Sequence, residues 1–146
     1  MIAERTYSEP FASVFVTAPD GLTLHVRRYG PRVASALPVV CLPGLARTAA
    51  DFHPLAEALA ADPANPRLVL ALDYRGHGQS QYDRNPRNYA IRVALADLSA
   101  VLAAFEITSA IFVGTSFGGV LAMMLAEVIS KAARTADRSA SATRIA

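Results

Sequence analysis

The sequence is poor in several residue types, and each shortage closes off a class of protein. Cysteine occurs once, at Cys41. One thiol cannot build an intramolecular disulfide framework or a cysteine zinc cluster. Lysine also occurs once, at Lys131, and the other basic residues are arginine. With abundant alanine, that usage points to a GC-rich coding sequence and says nothing about chemistry. Charged residues make up only 18% of the chain, and the formal net charge is +2. No basic block is dense enough to suggest a nucleic-acid partner. Glu4 and Arg5 stand where an export signal needs its apolar core, so a cytoplasmic protein is expected. What is plentiful is hydrophobic surface, 53% of 146 residues, enough to bury one core.

Hydrophobic periodicity divides that surface into elements. Val14 and Val16 lie on one side of an alternating run, Pro19-Asp20-Gly21 makes a turn, and Leu22, Leu24 and Val26 alternate with Thr23, His25 and Arg27. This spacing predicts a β-hairpin. On the polar side of its second strand, His25 is expected at the surface or rim. Val39–Leu42, Leu68–Leu72 and Ala110–Val113 are continuous apolar runs, as in parallel strands covered on both faces. Cys41 falls in the first of them and is expected in the core.

Helical spacing lies between these runs. Thr48-Ala49-Ala50-Asp51 fits a capping box ahead of Phe52, Leu55, Ala56 and Leu59, with His53 in the first turn. Asp62-Pro63 closes that helix. Asn88 is a candidate cap for a second helix with Ile91, Leu95, Leu98, Leu102 and Phe105 on its apolar face. A third runs from about Phe117 to Ile129. Hairpin, then alternating strands and helices, predicts a doubly wound, mostly parallel α/β sheet. Residues 1–11 read as an N-terminal extension, 12–129 as the folded part and 130–146 as a polar, disordered tail.

One motif carries chemistry. Gly114-Thr115-Ser116-Phe117-Gly118 follows a buried strand and opens a helix, the context of a G-x-S-x-G nucleophile elbow. Such a turn exposes the serine hydroxyl on a strained backbone, and the flanking glycines, with Gly119, allow strand and helix to approach closely. Leu42-Pro43-Gly44-Leu45-Ala46 also links a strand to a helix. There the backbone N–H of Leu45, together with that of Phe117, is a candidate oxyanion donor. Asp73-Tyr74-Arg75-Gly76-His77-Gly78-Gln79-Ser80 follows the next strand, with glycines permitting a tight turn.

In these ordered segments the chain resembles the α/β-hydrolase superfamily, in the branch of small bacterial esterases, lactonases and carbon–carbon hydrolases. The resemblance spans roughly residues 12–129. It implies a Ser–acid–His triad with Ser116 as nucleophile, a small-molecule ester, lactone or activated carbonyl substrate, and neither metal nor organic cofactor. Serine at this position argues against the haloalkane dehalogenases and epoxide hydrolases of the family, which place aspartate there.

The sequence departs from the family in one respect. The triad acid and histidine should follow the serine. After Ser116 stand Glu127 and Asp137 but no histidine; His25, His53 and His77 all precede it. His77 and Asp73 are the only candidates for surrogate base and acid near the expected face. The expectation is therefore a hydrolase truncated after the elbow helix, by frameshift or premature stop, and nearly inactive, because loss of the triad serine or histidine costs on the order of 10⁶ in kcat. A competing reading is a non-catalytic remnant or interaction module that self-associates through the bared edge of strand Ala110–Val113. A third is a membrane span over the uncharged stretch Ile107–Ala126, set aside because the elbow motif accounts for the same residues better.

Overall fold

The computed structural model describes residues 3–5 and 10–145; residues 3–5, 133 and 135–145 are described by their backbone alone. Strands β1 (Ala3–Arg5), β2 (Ala12–Thr17), β3 (Thr23–Tyr29), β4 (Val39–Leu42), β5 (Val69–Leu72) and β6 (Ile111–Gly114) form one sheet in the order β1-β2-β3-β5-β4-β6. Helices α1 (His53–Ala60), α2 (Ile91–Ala104) and α3 (Phe117–Ile145) complete the described chain. The sheet is mixed. β4 pairs in parallel with β5 and β6, and the hairpin adds antiparallel ladders on the far side of β5. β1, within the stretch read as an extension, is an antiparallel strand on β2, with Glu4 opposite Val14.

The continuous apolar runs work because both faces of the sheet are covered. On β4 and β5, Val40, Leu42, Leu70 and Leu72 enter the cluster built with Leu98, Val101, Leu121 and Leu125 of α2 and α3. Their neighbours Val39, Cys41, Val69 and Ala71 face Phe52 and Ala56 on the other side. Period two thus persists inside an all-apolar run, sorting residues between two layers.

One local expectation holds and several change. The hairpin turn forms at Asp20-Gly21, where Gly21 takes φ +89° and its N–H donates to the Ala18 carbonyl. Thr48 makes no side-chain cap; a 3-10 turn over Ala49–Phe52 precedes α1, and Asp51 pairs instead with Arg47 at 2.7 and 2.9 Å. Asn88 does not cap α2 either. It lies in a 3-10 turn over Pro86–Tyr89 whose cap is the Asn85 side chain, and its own amide donates to Asp83. Leu55, expected on the buried face of α1, is 40% exposed.

The polar stretch 130–146, expected as a tail, continues the backbone of α3 to Ile145. Its alanine and arginine are strong helix formers even without an apolar face. Residues 107–126 are no single helix: they hold β6, the Ser116 turn and the start of α3. Among the described residues, no helix is long and apolar enough to cross a membrane.

Candidate active site

The site is built where β6 meets α3. Ser116 sits between them, exposed, with φ +51°. For a residue with a Cβ that left-handed conformation costs roughly 1–2 kcal/mol. Backbone hydrogen bonds hold it: Thr115 N–H donates to Leu42 O at 3.2 Å, Gly118 N–H to Thr115 O at 3.0 Å and Val120 N–H to Ser116 O at 3.1 Å. The turn is also too tight for side chains beside it. A Cβ on Gly118 would lie 2.0 Å from Leu42 O, and one on Gly114 would lie 2.4 Å from the Gly118 carbonyl carbon. Gly119 is different, since a Cβ there would stand 3.5 Å from Gly114 O, an ordinary contact. The close-packing role expected of Gly119 therefore falls to Gly114 and Gly118.

The loop after β4 lies against this turn. A Cβ on Gly44 would meet Thr115 O at 3.6 Å. Arg47 N–H donates to Gly44 O, closing a turn in which Ala46 has φ +61° and Leu45 is 68% exposed. Tyr74 Oη donates to Pro43 O at 2.8 Å and its ring meets Phe117 edge-on at 5.3 Å. Leu45, Phe117 and His77 line one cavity.

Asp73 and His77, the candidate surrogates, are both committed elsewhere. Asp73 Oδ1 accepts from Ala49 N–H at 2.8 Å, and Oδ2 accepts from Gln79 N–H at 3.1 Å and His25 Nδ1 at 2.7 Å. Burial acts to raise this carboxyl, but the hydrogen bonds from His25, Ala49 and Gln79 outweigh it and hold the group below its ordinary value. His77 Nδ1–H donates to Arg75 O at 3.0 Å. Neither side chain is hydrogen-bonded to Ser116.

His25 is a correction. It is 0% exposed, not a rim residue. Its Nδ1 meets Asp73, its Nε2 meets Ser13 Oγ at 2.8 Å, and Phe15 packs on its ring. Hydroxyl, imidazole and carboxylate follow one another as in a hydrolytic triad, but the ring is sealed from solvent. The group ties β2 and β3 to the loop after β5, and through Ala49 to the loop after β4. The other feature missed from sequence is Arg75, 4% exposed, which reaches Asp97 on α2, Asp20 in the hairpin turn and Asp83. The side-chain bonds to Asp97, ahead of those to Asp20, push its guanidinium further above its ordinary value. Only Asp20-Gly21 signalled a turn there; nothing local signalled the partners.

A family model described as the alpha/beta hydrolase fold matches residues 38–135. The chain belongs to the α/β-hydrolase family. An α/β-hydrolase of Novosphingobium aromaticivorans superposes with a TM-score of 0.77 at 41% identity, covering 84% of this chain and 41% of that one. Among curated relatives, a 3-hydroxybutyrate-oligomer hydrolase of Cupriavidus necator is 32% identical over 60% of this chain and 29% of its own length. An sn-1-specific diacylglycerol lipase of Xenopus tropicalis is 37% identical over 61% of this chain and 26% of its own. This α/β-hydrolase chain thus spans between about a quarter and two fifths of the length of the relatives it matches.

Proposed function

We propose that Ser116 is the nucleophile of a serine hydrolase acting on an ester, lactone or similarly activated carbonyl, with the Leu45 and Phe117 N–H groups as oxyanion donors. The observation that carries this is the left-handed backbone of Ser116, held at +51° between two glycines that admit no side chain. Strain of this kind, kept by surrounding structure and presenting a hydroxyl to solvent, is a feature of functional turns. In the reaction Ser116 Oγ attacks the carbonyl carbon and the oxyanion is met by backbone donors at the start of α3 and in the Gly44–Arg47 turn; the acyl C–O bond then breaks, the serine proton passes by way of solvent or an added base to the departing alkoxide, and water hydrolyses the acyl-serine. The names of the relatives, an oligomer hydrolase and a lipase, agree with ester chemistry.

No imidazole reaches Ser116 within these residues, so turnover by this chain alone is slow. Loss of the triad base leaves about 10³–10⁴ of catalysis over water from binding and oxyanion donors. The test is acylation by an activated ester or a fluorophosphonate, with and without added imidazole as external base, read by intact mass. The expected result is one adduct on Ser116, faster with imidazole and absent in Ser116→Ala. No adduct on folded chain, or an adduct that survives in Ser116→Ala, overturns the proposal.

One observation favours a second reading, an association module. β6 ends the sheet, and Ile111 on it is 43% exposed. An uncharged edge strand offers unpaired backbone groups to another copy. Sedimentation velocity checks this: self-association abolished by Ile111→Lys supports it, and a monomer at all concentrations rejects it.

A further inference from the structure

We propose that Asp73 and Tyr74, consecutive residues at the end of β5, are positioning residues for the oxyanion: they hold the two ends of the loop that carries the Leu45 donor. The proposal rests on the reading of Ser116 as nucleophile with Leu45 N–H as donor. The loop runs from Pro43 to Ala49. At its start Tyr74 Oη donates to Pro43 O at 2.8 Å. At its far end Ala49 N–H donates to Asp73 Oδ1, also at 2.8 Å. Between these anchors Leu45 is 68% exposed and Ala46 takes φ +61°. A residue with a Cβ keeps such a conformation only where its surroundings fix it.

Period two explains how two neighbours can share this task. Successive side chains at a strand end leave opposite faces of the sheet. Leu72 and Tyr74 belong to one core cluster, Ala71 and Ala49 to the other, and Asp73 faces the second side, where it meets Ala49. The loop is therefore held from both faces at once. Neither anchor is free to swing away. The Tyr74 ring is buried and stands edge-on to Phe117, the other donor residue, at 5.3 Å. Asp73 Oδ2 accepts from His25 Nδ1 and Gln79 N–H, and a Cβ on Gly78 would come within 2.2 Å of it. Its backbone is fixed as well: Asp73 N–H donates to His25 O at 3.0 Å, and Ser80 Oγ donates to Asp73 O at 2.6 Å. The buried His25 thus acts on the site at one remove, by orienting the carboxylate that holds Ala49. What the loop needs from position 73 is an acceptor at Oδ1, which asparagine retains and alanine lacks.

The test compares p-nitrophenyl acetate with the corresponding thionoacetate as acyl donors to Ser116, in imidazole, by intact mass. In each case the Oγ–acyl bond forms, the bond to nitrophenolate breaks, the serine proton passes to imidazole, and nitrophenolate leaves. Sulfur is a weak hydrogen-bond acceptor. The oxygen-to-sulfur rate ratio, divided by that of N-acetylserinamide in the same buffer, therefore reports the oxyanion donors and not the amount of folded protein. In the parent chain this normalised ratio is expected to lie well above one. Losing one oxyanion donor costs about 10²–10³ in rate, and loosening one costs less. The ratio is expected to fall about tenfold in Tyr74→Phe, which loses only the hydroxyl, and as much in Asp73→Ala, while Asp73→Asn stays nearer the parent. An unchanged ratio in folded Tyr74→Phe overturns the positioning role, and this mild variant decides the matter if Asp73→Ala does not fold. Equal losses in Asp73→Asn and Asp73→Ala overturn the Ala49 anchor. A parent that is acylated with a normalised ratio of one overturns the oxyanion donors, and the positioning role with them, but leaves Ser116 as nucleophile. No acetyl adduct on the parent overturns the Ser116 reading and the proposal together.

Discussion

Replacing Asp97 with alanine leaves the Arg75 guanidinium buried with its best partner gone. The two side chains are 4% and 5% exposed. They meet in a two-pronged pair, Nε to Oδ2 and Nη2 to Oδ1, both at 2.7 Å. Asp83 at 2.7 Å and Asp20 at 2.9 Å hold the remaining nitrogen, and Asp20 is 45% exposed. Breaking a buried pair by removing one partner costs about 3–5 kcal/mol. Because two carboxylates remain, the lower end applies, about 3 kcal/mol out of a total of roughly 5–15 kcal/mol for a domain. Arg75→Met alone strands Asp97 in the same way and costs about as much. The double variant Arg75→Met with Asp97→Leu leaves only Asp20 and Asp83, which reach water, and is expected to lose about 1 kcal/mol. The double loss thus falls well below the two single losses combined, the signature of a coupled pair. Urea unfolding followed by far-UV circular dichroism measures all four chains, with unchanged m-values as the condition for comparison. An Asp97→Ala chain within 1 kcal/mol of the parent would refute the reasoning, as would a double variant weaker than either single one.

The elbow makes two contrasting predictions by thermal melting. Gly118→Ala drives a Cβ to 2.0 Å from Leu42 O, a backbone atom with nowhere to go, and is expected to cost 3 kcal/mol or more by the usual scale of overpacking; Gly119→Ala, inside α3, is expected to gain about 0.5–1 kcal/mol. Ser116→Gly relieves the positive φ but loosens the unfolded chain, for a net gain of up to about 1 kcal/mol in urea unfolding, whereas Ser116→Ala keeps the strain and gains nothing. Asp73, held below its ordinary value of 3.8, contributes stability that is complete above that value and is lost as pH falls through the depressed folded one. Asp73→Asn is therefore expected to be less stable at pH 7 and to show a shallower acid limb in a titration from pH 7 to 2; an unchanged limb would reject that account.

Much of the fold was legible because period and run length report burial directly. Val39–Leu42 and Leu68–Leu72 read as strands covered on both faces, being short apolar runs bounded by proline and polar residues, and the helical stripe led by Leu98 faces the core as its spacing requires. Ser116 was legible because its motif fixes both a turn and its flanking elements. His25 was not. Alternation with Thr23 and Arg27 placed it outside, while its burial depends on Asp73, 48 positions away. Local patterns cannot reveal a partner brought in by strand order. The caps failed for local reasons: Thr48 stands at the cap of the 3-10 turn before α1 but makes no side-chain bond to it, and Asn88 lies inside the 3-10 turn that ends just before α2, so Ala90 takes the cap position. β1 was missed because three residues are too few to show a period.

Cys41 has a use beyond packing. It lies in β4 between β5 and β6, 0% exposed, with its thiol pushed up by burial to about 11. A thiol that is both sealed and protonated reacts only when the middle of the sheet comes apart. The protein therefore carries its own stopwatch. The rate at which a disulfide reagent consumes its single thiol times the opening of the central strands, with no label introduced and no second cysteine in the sequence to confuse the signal.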